Sequence, residues 1–187
     1  MKINEIFYSI QGEGKHTGTP AIFVRFSGCN LECSFCDTKH KTGFRMTEEE
    51  VIDVIGQYPA KFVVLTGGEP SMQATIKFVD KLHEKGYYVA IETNGTFPCP
   101  QNIDWITCSP KYKEVVLKRI DELKVVYTGQ DMSQYDSFNA KEYYVQPCDF
   151  GPFKEKNEEN IKQVIKFIKN NPKWKLSLQT QKILRVR

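Results

Sequence analysis

Seven short runs rich in β-branched and aromatic residues recur along the chain with helical patterns between them, and no other feature limits the fold as much. They are "AIFVRFSG" (21–28), "FVVLTG" (62–67), "YYVAIETN" (87–94), "WITCSP" (105–110), "LKVVY" (123–127), "YYVQP" (143–147) and "WKLSLQT" (174–180). Near-continuous apolar runs of this length are what parallel strands buried on both faces require. The helices are marked by their ends. Thr47 with Glu50 forms a capping box opening "TEEEVIDVIGQY", and its acidic first turn suits the positive end of the helix dipole. Ser71 is expected to open "SMQATIKFVDKLHEKG", with Gly86 at its C′ position. Asn157 is expected to open a helix stopped by Pro172, in which Ile161, Val164, Ile165 and Ile168 form one apolar stripe. Strand, helix, strand in repetition implies right-handed crossovers and an α/β fold. A complete eight-fold barrel takes about 250 residues, so a shortened, partly open (β/α) barrel fits better. Residues 128–141 and 148–156 read as surface loops.

The length of 187 residues and 40% apolar content suffice for one sizeable core, hence a single domain over residues 1–187. A net charge of +3, spread among acidic residues, gives no reason to expect nucleic acid as a partner and leaves room for a small anionic substrate. No run approaches the roughly 18 apolar residues of a membrane span, and no leader pattern opens the chain, so a cytoplasmic protein without a membrane partner is expected. Six cysteines would suggest disulfides in a secreted mini-protein, but three of these lie too close together to reach distant partners. Cys99, Cys108 and Cys148 stand singly and read as small buried hydrophobes.

In parallel α/β folds the active site gathers at the carboxyl ends of the strands. Here those ends carry a cysteine loop, "GGEP" (67–70), "ETNG" (92–95), "SPK" (109–111) and Gln146–Pro147, which implies one shared pocket. The loop "SGCNLECSFCDTKH" (27–40) offers Cys29, Cys33 and Cys36 as C-x3-C-x2-C. Three soft thiolates suit zinc or iron and sulfur, and do not suit magnesium or calcium. Zinc would need a fourth ligand, for which His40 is available. A cubane held by three thiolates would leave one iron open.

This triplet, with Phe35 just before its last cysteine and "GGEP" behind it, resembles the signature of radical S-adenosylmethionine (SAM) enzymes. "SIQGEGKHTGTPAIFVRFSGCNLECSFCDTKH", "LTGGEP", "IETNGT", "SPK" and "LSLQTQK" together resemble the 7-carboxy-7-deazaguanine synthase family of queuosine and 7-deazapurine biosynthesis, essentially from end to end. The resemblance implies a radical SAM type of partial barrel and a carbon–nitrogen lyase. Cys29, Cys33 and Cys36 would hold a [4Fe-4S] cluster whose open iron binds SAM, and the chemistry would run through a 5′-deoxyadenosyl radical. The implied substrate is 6-carboxy-5,6,7,8-tetrahydropterin, contracted to 7-carboxy-7-deazaguanine with loss of ammonia.

By the same resemblance Ile10, Gln11, Gly12 and Glu13 form the pterin-binding turn, Arg25 takes the substrate carboxylate, and Thr66 and Gln181 are further substrate contacts. Gly68 and Glu69 would meet the amino group of SAM; Ser109, Pro110 and Lys111 its ribose or carboxylate; Phe35, Asp37 and Gln146 its adenine. Thr38, otherwise readable as a helix N-cap, would be a Mg2+ ligand, and one hydroxyl plus substrate suffices for an ion that keeps several waters. An electron donor such as flavodoxin and a homodimer are implied as well. The chain departs from its relatives at one place. They end in "QTHK" where this chain has "QTQK", so Gln181 replaces a histidine and cannot titrate near neutral pH. His16 and His40 read as solvated or structural. The residues weigh against a glycyl-radical activase, which lacks "QGEG" and "CDTKH", and against a zinc-stapled binding module.

Overall fold

The computed structural model describes residues 1–186, arranged on one nine-stranded sheet. The strands are β1 (Lys2–Ile10), β2 (Pro20–Phe26), β3 (Phe44–Arg45), β4 (Phe62–Gly67), β5 (Tyr88–Thr93), β6 (Trp105–Cys108), β7 (Glu122–Tyr127), β8 (Glu142–Pro147) and β9 (Trp174–Leu176). Their spatial order is β3-β1-β2-β4-β5-β6-β7-β8-β9. From β2 to β9 every pairing is parallel, while β1 runs antiparallel to β2 and β3. The expected partly open α/β barrel is therefore present, with an antiparallel edge that the apolar runs did not announce. In "KINEIFYSI" polar and charged residues interrupt the pattern, and the register shifts between Ile3 and Glu5.

Alternation along the strands separates two environments. Ile22, Val24 and Phe26 of β2, Val63 and Leu65 of β4, and Val89 and Ile91 of β5 face outward. They pack on α1 (Glu48–Ile55) and α2 (Ile76–Glu84) through Val51, Ile52, Ile55, Phe78, Val79 and Leu82. Leu123, Val125, Val145 and Trp174 do the same beneath Val164 of α3 (Lys154–Asn170). The alternate positions turn into the barrel. Phe7, Ala21, Phe23, Phe62, Val64 and Ala90 make an apolar floor, closed by the His16 ring, whose centroid lies 4.9 Å from Phe62 and 5.2 Å from Trp105.

The capping box of α1 forms as expected: Glu50 N–H donates to Thr47 Oγ1 at 3.1 Å, and Thr47 N–H to Glu50 Oε2 at 2.7 Å. Helix α2 starts later than the sequence implied. Ser71 sits in a 3-10 turn (Pro70–Met72) and spends both its donors on Glu69, so Thr75 caps the helix by accepting from Phe78 N–H at 3.1 Å. Gly86 does occupy the position after the cap, with φ 76°. Helix α3 starts earlier than Asn157, whose side chain instead ties down the preceding loop through Phe150 N–H and the Gly151 carbonyl. Its stripe is rotated as well: Ile161 and Ile165 are 40% and 44% exposed. The cause is Asn160, which faces the sheet to accept from Cys148 N–H at 3.0 Å and donate to the Tyr127 carbonyl at 3.1 Å. The run 174–180 is a strand only as far as Leu176, after which a short helix α4 (Thr180–Leu184) begins. The loop 128–141 contains a 3-10 turn (Met132–Tyr135) that buries Met132 and Tyr135.

Among the described residues no helix is long and apolar enough to cross a membrane. Because Thr75 supplies the cap of α2, Thr75→Ala is expected to lower stability by about 1 kcal/mol. The change should appear in urea denaturation as a lower midpoint with an unchanged slope.

Candidate active site

A cavity of about 600 Å³ opens at the carboxyl ends of the parallel strands. The cysteine loop forms one wall. Its neck is closed by Gly28 N–H and the Ser27 hydroxyl, which donate to the His40 carbonyl at 2.8 and 2.9 Å. Within it Cys36 N–H donates to the Cys33 carbonyl at 3.1 Å, and Leu31 is buried beneath. The "GGEP" turn packs directly on this neck: a Cβ on Gly68 would lie 1.9 Å from the Gly28 carbonyl oxygen, so only glycine permits the approach.

All three loop thiols are free and line the cavity. Burial pushes the Cys29 and Cys33 thiols up, and repulsion among the three thiols pushes the same way. A donor set of this kind ionises when a cationic centre offsets that cost, so the three sulfurs fit an iron–sulfur cluster. Among the described residues no three His, Cys, Asp or Glu side chains converge on a point where one metal ion could sit. Thr38 caps no helix, since residues 39–43 are not helical; its hydroxyl lies 3.4 Å from Arg25 Nη1.

The expected substrate and cofactor residues Ile10, Gln11, Gly12, Glu13, Arg25, Phe35, Asp37, Thr66, Gly68, Ser109, Lys111, Gln146 and Gln181 all line the same cavity. Arg25 is held by Glu5, Nε to Oε1 at 2.8 Å, and lies over the Phe7 ring. Lys111 donates to the Ser109 hydroxyl at 2.8 Å, its ammonium 5.4 Å from the Phe35 ring centroid, and burial lowers its pKa. Two expected residues stand elsewhere. Pro110 is buried and does not line the cavity. Glu69 is fully buried behind the wall, where one carboxylate oxygen accepts from Ser71 N–H, the Ser71 hydroxyl and the Thr93 hydroxyl, and the other from Asn94 N–H at 2.7 Å. It ties the "GGEP" and "ETNG" turns together.

Several residues of the site were not singled out from the sequence. Lys124 is buried inside the barrel, its ammonium 2.5 Å from Glu13 and 3.6 Å from Glu92. Burial alone would lower its pKa, but Glu13, Glu92 and Glu122 raise it. Burial alone would raise the Glu13 carboxyl; Lys124 together with Gln179 and Gln181 brings it down to about 2. Glu92 also accepts from Gln11 Nε2 and from the Thr66 hydroxyl, both at 3.0 Å. The available signal was period two: Glu122 and Lys124 stand two apart in an otherwise apolar strand, and so share its inner face. Cys148, read as a buried hydrophobe, is buried but lines the cavity.

The C-terminal segment closes the open side. Thr180 N–H and hydroxyl donate to the Gly12 carbonyl at 3.1 and 2.9 Å. Gln179 and Gln181 donate to Glu13 at 3.0 and 3.1 Å, and Lys182 bridges Asp37 and Asp149 at 2.9 Å each. A Cβ on Gly12 would lie 2.8 Å from the Gln181 backbone nitrogen, so glycine gives the segment its close docking.

Residues 23–129 match the Radical SAM superfamily. The 7-carboxy-7-deazaguanine synthase of Bacteroides thetaiotaomicron is 53% identical over 187 residues, covering 100% of this chain and 98% of its own. That of Burkholderia multivorans is 39% identical, with 98% of each chain covered. The crystal structure of QueE from Escherichia coli superposes with a TM-score of 0.80 at 30% identity, covering 95% of this chain and 93% of that one.

Lys124→Met would leave the partly buried carboxylates of Glu13 and Glu92 without their cation, at a cost of about 3 kcal/mol, the lower end for a broken buried pair. The pH dependence should change sign. In the native chain the Glu13 pKa lies below the unfolded value of about 4.3, so its contribution is present above that value and is lost as pH falls toward about 2. In Lys124→Met the stranded carboxyls would titrate above their unfolded value, so the variant should gain stability from pH 7 to pH 5 while the native chain does not, as measured by urea denaturation at each pH.

Proposed function

The chain belongs to the 7-carboxy-7-deazaguanine synthase family of radical SAM enzymes, and on that premise we propose how its own residues carry the family's reaction. The reaction converts 6-carboxy-5,6,7,8-tetrahydropterin to 7-carboxy-7-deazaguanine with loss of ammonia. When bound, the [4Fe-4S] cluster and SAM supply one-electron cleavage and hydrogen-atom abstraction. Cys29, Cys33 and Cys36 would hold the cluster through their three thiolates.

One observation carries the reading: the cysteine loop, the glycine-rich "GGEP" turn and the pterin turn 10–13 meet on a single cavity, although they come from distant parts of the sequence. The cluster loop and the Gly67–Gly68 turn would hold SAM, with Ser109 and Lys111 as the residues for its ribose or carboxylate and Phe35, Asp37 and Gln146 for its adenine. Glu69 acts through the turns it joins. Gln11, Gly12, Glu13 and Thr66 bind the pterin. Glu13 is ionised throughout the working range and can accept ring N–H groups. Gln181 gives its N–H to Glu13, leaving its buried Oε1 without a protein donor and free to accept from substrate. Arg25 takes the substrate carboxylate through its planar fork, and the neighbouring Thr38 hydroxyl would hold Mg2+ together with that carboxylate.

The same reading extends to a homodimer, an electron donor such as flavodoxin and a cytoplasmic location, which rest on likeness to the bacterial relatives. The test is anaerobic turnover of carboxy-tetrahydropterin by the reconstituted chain with SAM and reductant, with and without Mg2+. Formation of 7-carboxy-7-deazaguanine, faster with Mg2+, is expected; 5′-deoxyadenosine without deazaguanine would reject the substrate.

Cys36→Ala should lose the brown colour of the reconstituted protein and its turnover together, whereas His40→Ala keeps both. Arg25→Gln, which removes a charge-assisted contact worth about 1.5–3 kcal/mol, should lower kcat/KM for the pterin at least about tenfold while cluster content stays constant.

A further inference from the structure

The "ETNG" segment ends β5, and the turn that begins at Asn94 meets the cysteine loop through a closed set of hydrogen bonds. Asn94 is 7% exposed, and its backbone N–H is fixed by the buried Glu69 carboxylate at 2.7 Å. Its side-chain oxygen accepts from Thr96 N–H at 2.9 Å and from the Thr96 hydroxyl at 2.6 Å. The Thr96 hydroxyl in turn accepts from Asn30 Nδ2 at 2.9 Å, and the Asn30 side-chain oxygen accepts from Asn94 Nδ2 at 3.1 Å. This ring settles which way the Asn94 amide faces, because a backbone N–H can be met only by its oxygen. It also consumes every polar atom of the three side chains that lies within it. One Asn94 N–H is left over, and it faces Cys29 Sγ at 4.0 Å, beside Leu31 N–H at 3.4 Å.

We infer that Asn94 is a positioning residue that donates its spare side-chain N–H to the Cys29 thiolate of the cluster and thereby raises the cluster's reduction potential. The inference rests on the assignment of Cys29 as a cluster ligand. An electron added to an iron–sulfur cluster spreads onto its sulfurs, so an N–H aimed at one of them favours the reduced state over the oxidised one. The ring supplies the rigidity that the contact needs. Asn30 lies next to Cys29 in the chain and Thr96 lies two residues from Asn94, so the donor and its target are joined at both ends. The Glu69 carboxylate has the same function one layer further out, since it holds the Asn94 backbone in register with the "GGEP" turn.

Asn94→Leu keeps the number and branching of side-chain heavy atoms and the backbone bond to Glu69, while it removes the donor to Cys29 together with the side-chain bonds to Thr96 and Asn30. After anaerobic reconstitution without SAM, its cluster should keep full iron content and an unchanged visible spectrum. Its reduction equilibrium constant, followed by EPR during a redox titration, should fall about tenfold, a midpoint about 59 mV more negative for a one-electron couple. A full cluster with an unchanged midpoint would overturn the inference. If Asn94→Leu does not retain the cluster, the native chain decides. Made by cell-free synthesis with asparagine carrying nitrogen-15 in its side-chain amide alone, it should show a nitrogen-15 hyperfine coupling in pulsed EPR of the reduced cluster; no such coupling would overturn the proposal. A native chain that takes up no iron would instead overturn the cluster assignment, and this inference with it.

Discussion

A lysine ammonium inside a barrel has to be neutralised there, and Lys124 meets that need by joining two distant segments. Its partners are Glu13, from the loop after β1, and Glu92, at the end of β5. The sheet is open between β3 and β9, so no strand pairing can bring the loop 11–19 across to β7. The ion pair does so instead, helped by Glu122, which accepts from Lys15 N–H at 2.9 Å, and by Ser177, which accepts from Gly14 N–H at 3.1 Å. Once the loop lies across the opening, its Gly12 carbonyl and Glu13 carboxylate become the dock for Thr180, Gln179 and Gln181. One buried charge thus draws the loop across the opening, places the turn 10–13 and seats the C-terminal segment. Breaking a buried pair costs far more than an exposed one because the stranded charge cannot be solvated.

Above and below this charged layer the interior changes character within a few residues. The floor is aromatic and aliphatic, and His16 fills it with a ring whose Nε2 meets no polar partner. Burial there, with Lys15 nearby, lowers the His16 pKa, so the ring is neutral and acts as a plug. The rim is polar and glycine-rich. Water can reach the cavity from the rim and not through the floor, which suits chemistry that must keep solvent away from reactive species. Period-two alternation yields this gradient without any special loop, because Phe62, Val64 and Thr66, or Tyr88, Ala90 and Glu92, climb the same inner face of one strand.

Much of this was legible in the chain. Six of the seven apolar runs matched parallel strands to within two residues, the run 174–180 ending as a strand at Leu176, and the carboxyl-end turns indicated one cavity because strand direction in such folds allows no other meeting place. What escaped reading was decided by competition for hydrogen bonds. Ser71 and Thr75 are both sound caps by composition, and the choice fell to Thr75 because Glu69, buried by tertiary packing, needs the donors of Ser71. Asn160 rotated α3 because two strand ends needed a partner. Lys124 was hidden within "LKVVY", where the eye takes an apolar run and the fold uses an alternation. Glu69 matches its motif, yet its acceptors are already satisfied within the wall, and a motif does not show which side of a turn its carboxylate faces.

The substitution at Gln181 gains meaning from the same network. A histidine at this position could change charge near neutral pH, and its partner, Glu13, is an ionised carboxylate. Protonation of such a ring would add a second cation to a site where Lys124 already offsets Glu13. Glutamine gives Glu13 a hydrogen bond of fixed charge, with Gln179 supplying another. The carboxylate that the pterin turn presents therefore has a constant electrostatic setting across the physiological range. In exchange the site has no group at this position that could give or take a proton from substrate, so any proton the reaction moves there must travel by another route. Of the other cavity cations, Arg25 and Lys111 flank the cluster loop, while Lys182 of the C-terminal segment is engaged by Asp37 and Asp149, so the cation that faces Glu13 directly is Lys124.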